Sequence, residues 1–324
     1  MSLTAFYGAI VLGLIYGLMV LGVFLTFRIL NFPDLTVDGS ITLGAAVAAS
    51  LIISGVNPFL ATLAAPVAGA LAGVVTGTLH TKFSIPPLLA GILSMIGLHS
   101  INLRAMGGSP NLPLLRQPVI FECLGDLGIT LRHSEFIFSI AVALFFVLFL
   151  YYFLITETGQ ALRATGDNEI MMRSLGVNTG RMKIMGLGIS NALVALSGAM
   201  IAQYQGFADI SMGIGTIVAG LASVIVGEVL LGSARIIVWI FAALLGSVLY
   251  RLIIALVLRL GFQPTDLKLF TAVIVTIALI SPFFKGYSEG AKEFFGKYTG
   301  RVKALFKSET NKARDEELKP GIKG

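Results

Sequence analysis

Three hundred and twenty-four residues that are 56% hydrophobic and 12% charged, with a mean hydropathy of +0.90, exclude a water-soluble globular chain, in which about a quarter of residues are charged. Apolar runs of about 20 residues have the length of membrane-crossing helices and lack the weak alternation of a barrel, so the expected class is an all-α polytopic membrane protein. The single cysteine, Cys123, can form no disulfide within the chain, and the formal net charge of +6 sits mostly in one tail, which argues against nucleic acid as a partner.

The apolar runs place spans near 4–27, 36–54, 58–79, 87–103, 135–155, 183–204, 214–232, 236–258 and 268–284, eight to nine in all. The first carries no charge from Met1 to Phe27 and so lacks the basic start of a removable signal peptide. Together the spans form a single transmembrane domain over 1–284. Residues 104–134 are rich in Gly and Pro and predict an ordered or partly re-entrant loop. Residues 156–182 are polar but patterned, and 285–324 form a basic tail with ten Lys and Arg against six acids. Because Lys and Arg near the spans concentrate on the cytoplasmic side, the tail, together with Arg163, Arg173, Arg181 and Lys183, places the C-terminus inside and the N-terminus outside. Gly13 and Gly17, then Gly69, Gly73 and Gly77, recur at the four-residue spacing that brings helix backbones together.

The run Asp34-Leu35-Thr36-Val37-Asp38-Gly39 after the first span resembles Asp209-Ile210-Ser211-Met212-Gly213 after the sixth. Five spans separate the copies, so they lie on opposite sides. That is the signature of an inverted repeat with halves at about 4–103 and 183–284, and in transporters the substrate route runs between such halves. Carboxylates near the hydrocarbon region need water or partners, which makes Asp34, Asp38 and Asp209 candidates for that route, with Asn31, Thr36, Gly39, Ser40, Ser211 and Met212 around them. Asp34 and Asp38 also suit helix N-caps, and a helix start at half-depth could offer N–H groups to an anion such as an amino-acid carboxylate. Glu228 near a span end is expected to be hydrated, Arg251 to snorkel or pair, and His99 to hydrogen-bond between helices.

Between spans five and six, Asp167 can cap a helix starting at Asn168. Glu169 suits its first turn, Arg173 its last, and Gly176 the left-handed position beyond it. With Met171, Met172 and Leu175 this two-turn helix is too short to hold its own fold and must dock, on this chain's own helix ends or in a soluble partner.

The strings LNFPDLTVDGSITLGA and ALRATGDNEIMMRSLGVNTGRMKIMGLGISNALVALSGAM resemble the permeases of ATP-binding-cassette importers, specifically the branched-chain amino acid type, over nearly the whole chain to about Pro282. Asn31-Phe32-Pro33-Asp34-Leu35-Thr36-Val37-Asp38-Gly39 departs from the usual string and is similar to a subgroup assigned to tryptophan and tyrosine. The resemblance implies two permease copies, identical or related, in a bacterial cytoplasmic membrane, with a cytoplasmic ATPase dimer and an extracytoplasmic binding protein. It also implies a coupling segment containing Arg163, Asp167, Asn168, Glu169, Met172, Leu175 and Gly176. The chain has no Gly-x-x-x-x-Gly-Lys-Ser/Thr loop and no His, Cys or acid cluster at metal-ligand spacing. ATP and Mg are therefore expected on the partner ATPase, with no cofactor or metal on this chain and no enzyme activity of its own. An ion-coupled secondary transporter is the alternative that the inverted repeat and the buried acids also permit.

Overall fold

The computed structural model describes residues 3–122, 131–231, 235–262, 266, 269–273 and 276. Residues 1–275 form one unit; the second, 276–324, lies outside the described residues apart from Thr276. The tail and most of the predicted span at 268–284 therefore fall outside the description, as does Cys123.

The described chain is helical, with α1 Leu3–Val23, α2 Thr36–Ile53, α3 Pro58–Phe83, α4 Pro87–Ala105, α5 Leu131–Ile155, α6 Glu157–Asp167, α7 Glu169–Ser174, α8 Thr179–Gln205, α9 Thr216–Leu231 and α10 Ile236–Arg259. Seven of these are long and apolar enough to cross a membrane; α9, apolar but only 16 residues, is the eighth apolar helix among the described residues. Two three-residue strands, β1 Asn111–Pro113 and β2 Phe207–Asp209, pair antiparallel with Asn111 opposite Asp209. They tie the turn-rich loop to the segment after α8. Gln203 adds to this by accepting from the Ile120 amide at 2.9 Å while donating to Thr62 Oγ1 at 2.7 Å.

α1 and α8 are central and mostly buried, while α3, α4, α5 and α10 turn apolar side chains outward, as lipid-facing helices do. The packing is swapped: α1 lies on α10, and α8 on α3. Glycines make both contacts. Gly13 and Gly17 of α1 meet Val248 and Leu244, and Gly69, Gly73 and Gly77 of α3 meet Asn191, Leu187 and Ile184 of α8. The small-residue stripes thus serve packing within one chain. α2 beside α3 is matched by α9 beside α10.

α1 continues as a π-helical turn over Phe24–Ile29, where Thr26 Oγ1 donates to the carbonyls of Gly22 and Val23 and so competes with the helix ladder. Asn31, exposed and at φ 51°, turns the chain, and Pro33 prevents the helix from resuming. The buried break that follows brings Asp34 against Asn191, near the middle of the 27-residue α8. Since α8 is about 40 Å long, α2 begins roughly at half-depth.

Candidate functional site

Two helix starts meet there. Asp34, 2% exposed, accepts the Thr36 amide at 3.0 Å through Oδ1 and Asn191 Nδ2 at 2.8 Å through Oδ2, while Ser40 Oγ donates to Asn191 Oδ1 at 2.7 Å. Asp34, one residue before the Leu35 N-cap, thus closes an Asx turn onto the first residue of α2. Thr36, Thr76 and Ser94 add a hydroxyl chain at 2.8 and 2.7 Å that joins α2, α3 and α4.

Asp38 does not cap the helix that contains it. It projects from the first turn of α2 to the start of α9, where it accepts the amides of Gly215 and Ile217, both at 2.8 Å, and Thr216 Oγ1 at 3.0 Å. Helix α9 then runs away from Asp38 until Glu228 meets Arg28 at 2.8 Å, close to where Gly166 of α6 lies on the Ile29 carbonyl. α2 runs the other way, toward the strands, with Ile52 in a cluster that includes Leu114 and Ala208. Two helices of opposite direction therefore have their N-termini side by side inside the bundle, and α9 is short because it starts there. Side chains already sit at both starts: Asp34 accepts the Thr36 amide of α2, and Asp38 accepts the Gly215 and Ile217 amides of α9.

Asp209 repeats the local geometry of Asp34, with its Oδ1 accepting the amide of the second residue on, Ser211, at 2.8 Å, and the Ser211 hydroxyl as well. Its Oδ2 accepts Asn111 Nδ2 at 3.2 Å. It sits at the strand ladder, apart from Asp34 and Asp38; Ser211 is exposed and Met212 half-buried against the core. The Ser211 hydroxyl outweighs partial burial and keeps the Asp209 carboxyl below the ordinary carboxylate range.

Beside the two helix starts is a cavity of about 510 Å³ lined by Asp38, Gly39 and Thr42 of α2, by the face of α4 that holds Met95, His99 and Asn102, and by Ile210 and Ile214. Asn102 Nδ2 donates to the Gly39 carbonyl at 3.1 Å, and Gly39 lets α4 approach, since a Cβ there would meet Leu98. His99 is exposed and holds no interhelical hydrogen bond among the described residues; that role falls to His80. Asn191, Asn102, Thr76 and Ser94 were not among the residues the sequence singled out, although polar side chains within apolar spans are the signal that could have found them. Arg251 stacks 3.4 Å over the Tyr16 ring, and Arg28 lies 5.0 Å over Trp239 besides pairing with Glu228. Glu228 is therefore paired, where hydration was expected.

At the far end of the bundle from the strands, α6 and α7 lie outside the membrane-crossing helices. The cap of α7 is Asn168, whose Oδ1 accepts the Met171 amide at 3.0 Å; Asp167 is instead the last residue of α6. Both types cap well, and the extended backbone of Asn168 decides between them. Gly176 takes φ 82°, and amides 176 and 177 return to the carbonyls of Arg173 and Met172, closing the helix as a glycine stop. Arg163 is half-buried on α6 and Asp167 exposed.

Glu169 anchors α7. Its Oε1 accepts Arg173 at 2.6 Å and Thr179 at 3.2 Å, and its Oε2 accepts Lys183 at 2.7 Å. Lys183 reaches His80 Nε2 of α3 at 3.2 Å; His80 Nδ1 must donate to the Ile85 carbonyl, 2.8 Å away, which leaves Nε2 as the acceptor. Burial opposes ionisation of Glu169, but the bond and charge of Lys183, then Arg173 and Thr179, outweigh it and hold the carboxyl below its ordinary 4.5. A depressed carboxyl stabilises the docked helix above the unfolded value and stops doing so as pH falls through the folded one. Amide-exchange protection of α7 should therefore be constant from neutral pH to about 4.5 and fall below it. Glu169→Gln should show the weakened protection at every pH.

With Met172 turned inward and buried, α7 presents Ile170, Met171 and Leu175 at 83, 55 and 65% exposure. Met172 thus holds α7 to the bundle, while Ile170 and Met171 point outward.

A multi-pass helical bundle with opposed helix starts at half-depth has the architecture of a membrane permease. The sequence matches, over residues 6–280, the family described as the permease component of branched-chain amino acid transport systems, and the chain belongs to that family. It is 45% identical over 262 residues, 81% of this chain and 86% of the relative, to a tyrosine transport system permease protein of Clostridioides difficile. More distant are a ribose import permease protein of Escherichia coli, 28% identical over 65% of this chain and 66% of that one, and a probable branched-chain amino acid transport permease protein of Methanocaldococcus jannaschii, 23% identical over 78% and 87%. No solved structure matches the chain.

Proposed function

We propose that this chain is the membrane subunit of an ATP-driven importer of an aromatic amino acid, with tyrosine the first candidate. Two copies, or this chain and a relative, surround the route; a cytoplasmic ATPase dimer drives it, and an extracytoplasmic binding protein delivers the cargo. The observation that carries the reading is α7, a helix capped at both ends and anchored by Glu169 and Met172, which with its C-cap exposes the apolar Ile170, Met171 and Leu175 at the membrane protein's polar margin. The family match and the tyrosine permease relative support the importer and the cargo. The basic residues around α6 and α7 support a cytoplasmic location for this end, with the N-terminus outside.

The connection inward is short. Glu169 joins α7 to Lys183 of α8 and, through it, to His80 of α3, while α8 also carries Asn191, which holds Asp34 and Ser40. Displacement of α7 by the ATPases would thus be delivered to the helices that frame the two opposed starts, and the ATPase states, not the cargo, would supply the differential binding that rocks the halves. The matched Asx turns at Asp34 and Asp209 and the swapped packing of α1 and α8 support treating those halves as an inverted duplication.

Mild-detergent capture of the tagged full chain, with tyrosine uptake measured in the same cells, tests the reading. An ATPase subunit should come with the chain and be lost when 167–176 are deleted, and uptake should survive an ionophore. A homo-oligomer without an ATPase, and uptake that collapses with the ionophore, would establish the ion-coupled alternative instead.

A further inference from the structure

Arg251 is a cation at half-depth in the membrane. Its guanidinium lies 3.4 Å over the ring of Tyr16, which falls near the centre of the apolar span Ala5–Ile29, and it lines a cavity with Ile214, Thr216 and Val218 at the start of α9. The side chain therefore reaches inward, where snorkelling would have carried it to the surface. A charge at that depth is costly, and such charges pair with one another or mark substrate and ion pathways. Among the described residues no carboxylate pairs with Arg251 and no oxygen accepts from it. The Tyr16 ring takes the flat side of the guanidinium and offsets only part of the cost, while the N–H groups lie in the guanidinium plane and point past the ring. None of those nitrogens is buried without a partner, so a water-sized molecule reaches each of them. The cavity measures about 390 Å³, within the range of small-molecule sites. Thr216 Oγ1 is already committed to Asp38 and to the Gly213 carbonyl, and Tyr250 to Thr271 at 2.7 Å. Arg251 is thus the group with donors to spare, no acid lines the cavity among the described residues, and Ile214, Val218 and Ile254 supply apolar wall.

We infer that this cavity binds the carboxylate of the cargo amino acid, with the Arg251 guanidinium as its donor and the cargo side chain against Ile214, Val218 and Ile254. A planar guanidinium matches a carboxylate with two parallel bonds, and stacking on Tyr16 fixes its plane before the ligand arrives. The inference rests on the importer reading for the identity of the cargo; the preference for a carboxylate follows from the unpaired cation and does not need the ATPase.

Radiolabelled L-tyrosine is the probe, with the full chain in lipid nanodiscs. The label should bind; unlabelled L-tyrosine and 3-(4-hydroxyphenyl)propionate should displace it, and tyramine, which lacks the carboxylate, should do so about tenfold less well or worse. Arg251→Gln should weaken binding about tenfold or more, as loss of a charge-assisted bond does, and Arg251→Lys should recover part of it. A purely structural clamp between α10 and α1 would alter the size-exclusion profile of Arg251→Gln without changing the order of the competitors. Val218→Trp fills the cavity from an exposed wall position and leaves Arg251 and Tyr16 in place, so it should abolish binding with an unchanged profile even where Arg251→Gln fails to fold. No binding by the parent, tyramine competing as well as the propionate, sodium chloride displacing the label at the same concentration, or full binding by Val218→Trp would each overturn the assignment. Tyrosine uptake by whole cells separates the two readings. Uptake that requires the chain while the nanodisc chain binds no carboxylate refutes the site alone; Arg251-dependent binding in a chain that uptake does not require refutes the importer alone and leaves the site.

Discussion

Gly44→Val and Gly198→Val should each prevent recovery of a monodisperse, folded protein. The two glycines are the opposite sides of one crossing: a Cβ on Gly44 of α2 would overlap the Ala195 carbonyl of α8, and a Cβ on Gly198 of α8 would overlap the Ile41 carbonyl of α2. Neither obstacle is a side chain that can rotate away, so the helices must separate. Overpacking in a core usually costs about 1–3 kcal/mol, and displacing two backbones should exceed about 3 kcal/mol here because the same crossing positions Asn191 against Asp34 and Ser40. Size-exclusion profiles and thermal unfolding in detergent would check this. Gly97→Ala is the control: it lies on α4 with nothing near its hydrogen and should leave both measurements within about 0.5 kcal/mol of the parent, as a tolerated surface change does.

This crossing also marks the boundary of what could be read beforehand. The membrane helices were legible because twenty apolar residues have few other uses, and α2, α3, α4 and α10 begin or end within two or three residues of where hydropathy placed them. The depth at which α9 begins was not legible, because it depends on Asp38 reaching 177 to 179 positions along the chain to hold its first turn. A local rule assigned that carboxylate to its own helix and was wrong. Helix α6 was missed for a related reason. Gly159 and Gly166 lower helix propensity in any sequence window, yet here they let α6 lie on the carbonyls of Phe153 and Ile29. Three-residue strands such as β1 and β2 carry too little periodicity to register at all. The candidate site was half legible: acids stand out in an apolar chain, whereas Asn191 and Asn102, neutral and single, acquire meaning only from what packs against them.

Ile170→Asp combined with Leu175→Asp should abolish capture of the ATPase while leaving the permease inserted and folded. Both side chains are exposed, at 83 and 65%, and neither holds α7 in place; that is done by Glu169, Met172 and the caps at Asn168 and Gly176. The substitutions therefore remove exposed apolar area without removing the anchor. Burying each such side chain contributes about 1.5–3 kcal/mol, and a carboxylate in its place must also be desolvated, so the pair should weaken association by more than about a hundredfold. Gly176→Val makes the complementary change. It keeps the apolar tip but forces a β-branched residue to φ 82°, which costs about 1 kcal/mol or more and loosens the glycine stop. Retained but uncoupled ATPase is the expected phenotype, measured as hydrolysis that no longer responds to cargo. If the double aspartate variant still recovered the ATPase in full, the exposed face of α7 would not be the docking surface, and the half-buried Arg163 and exposed Asp167 of α6 would be the residues to replace next.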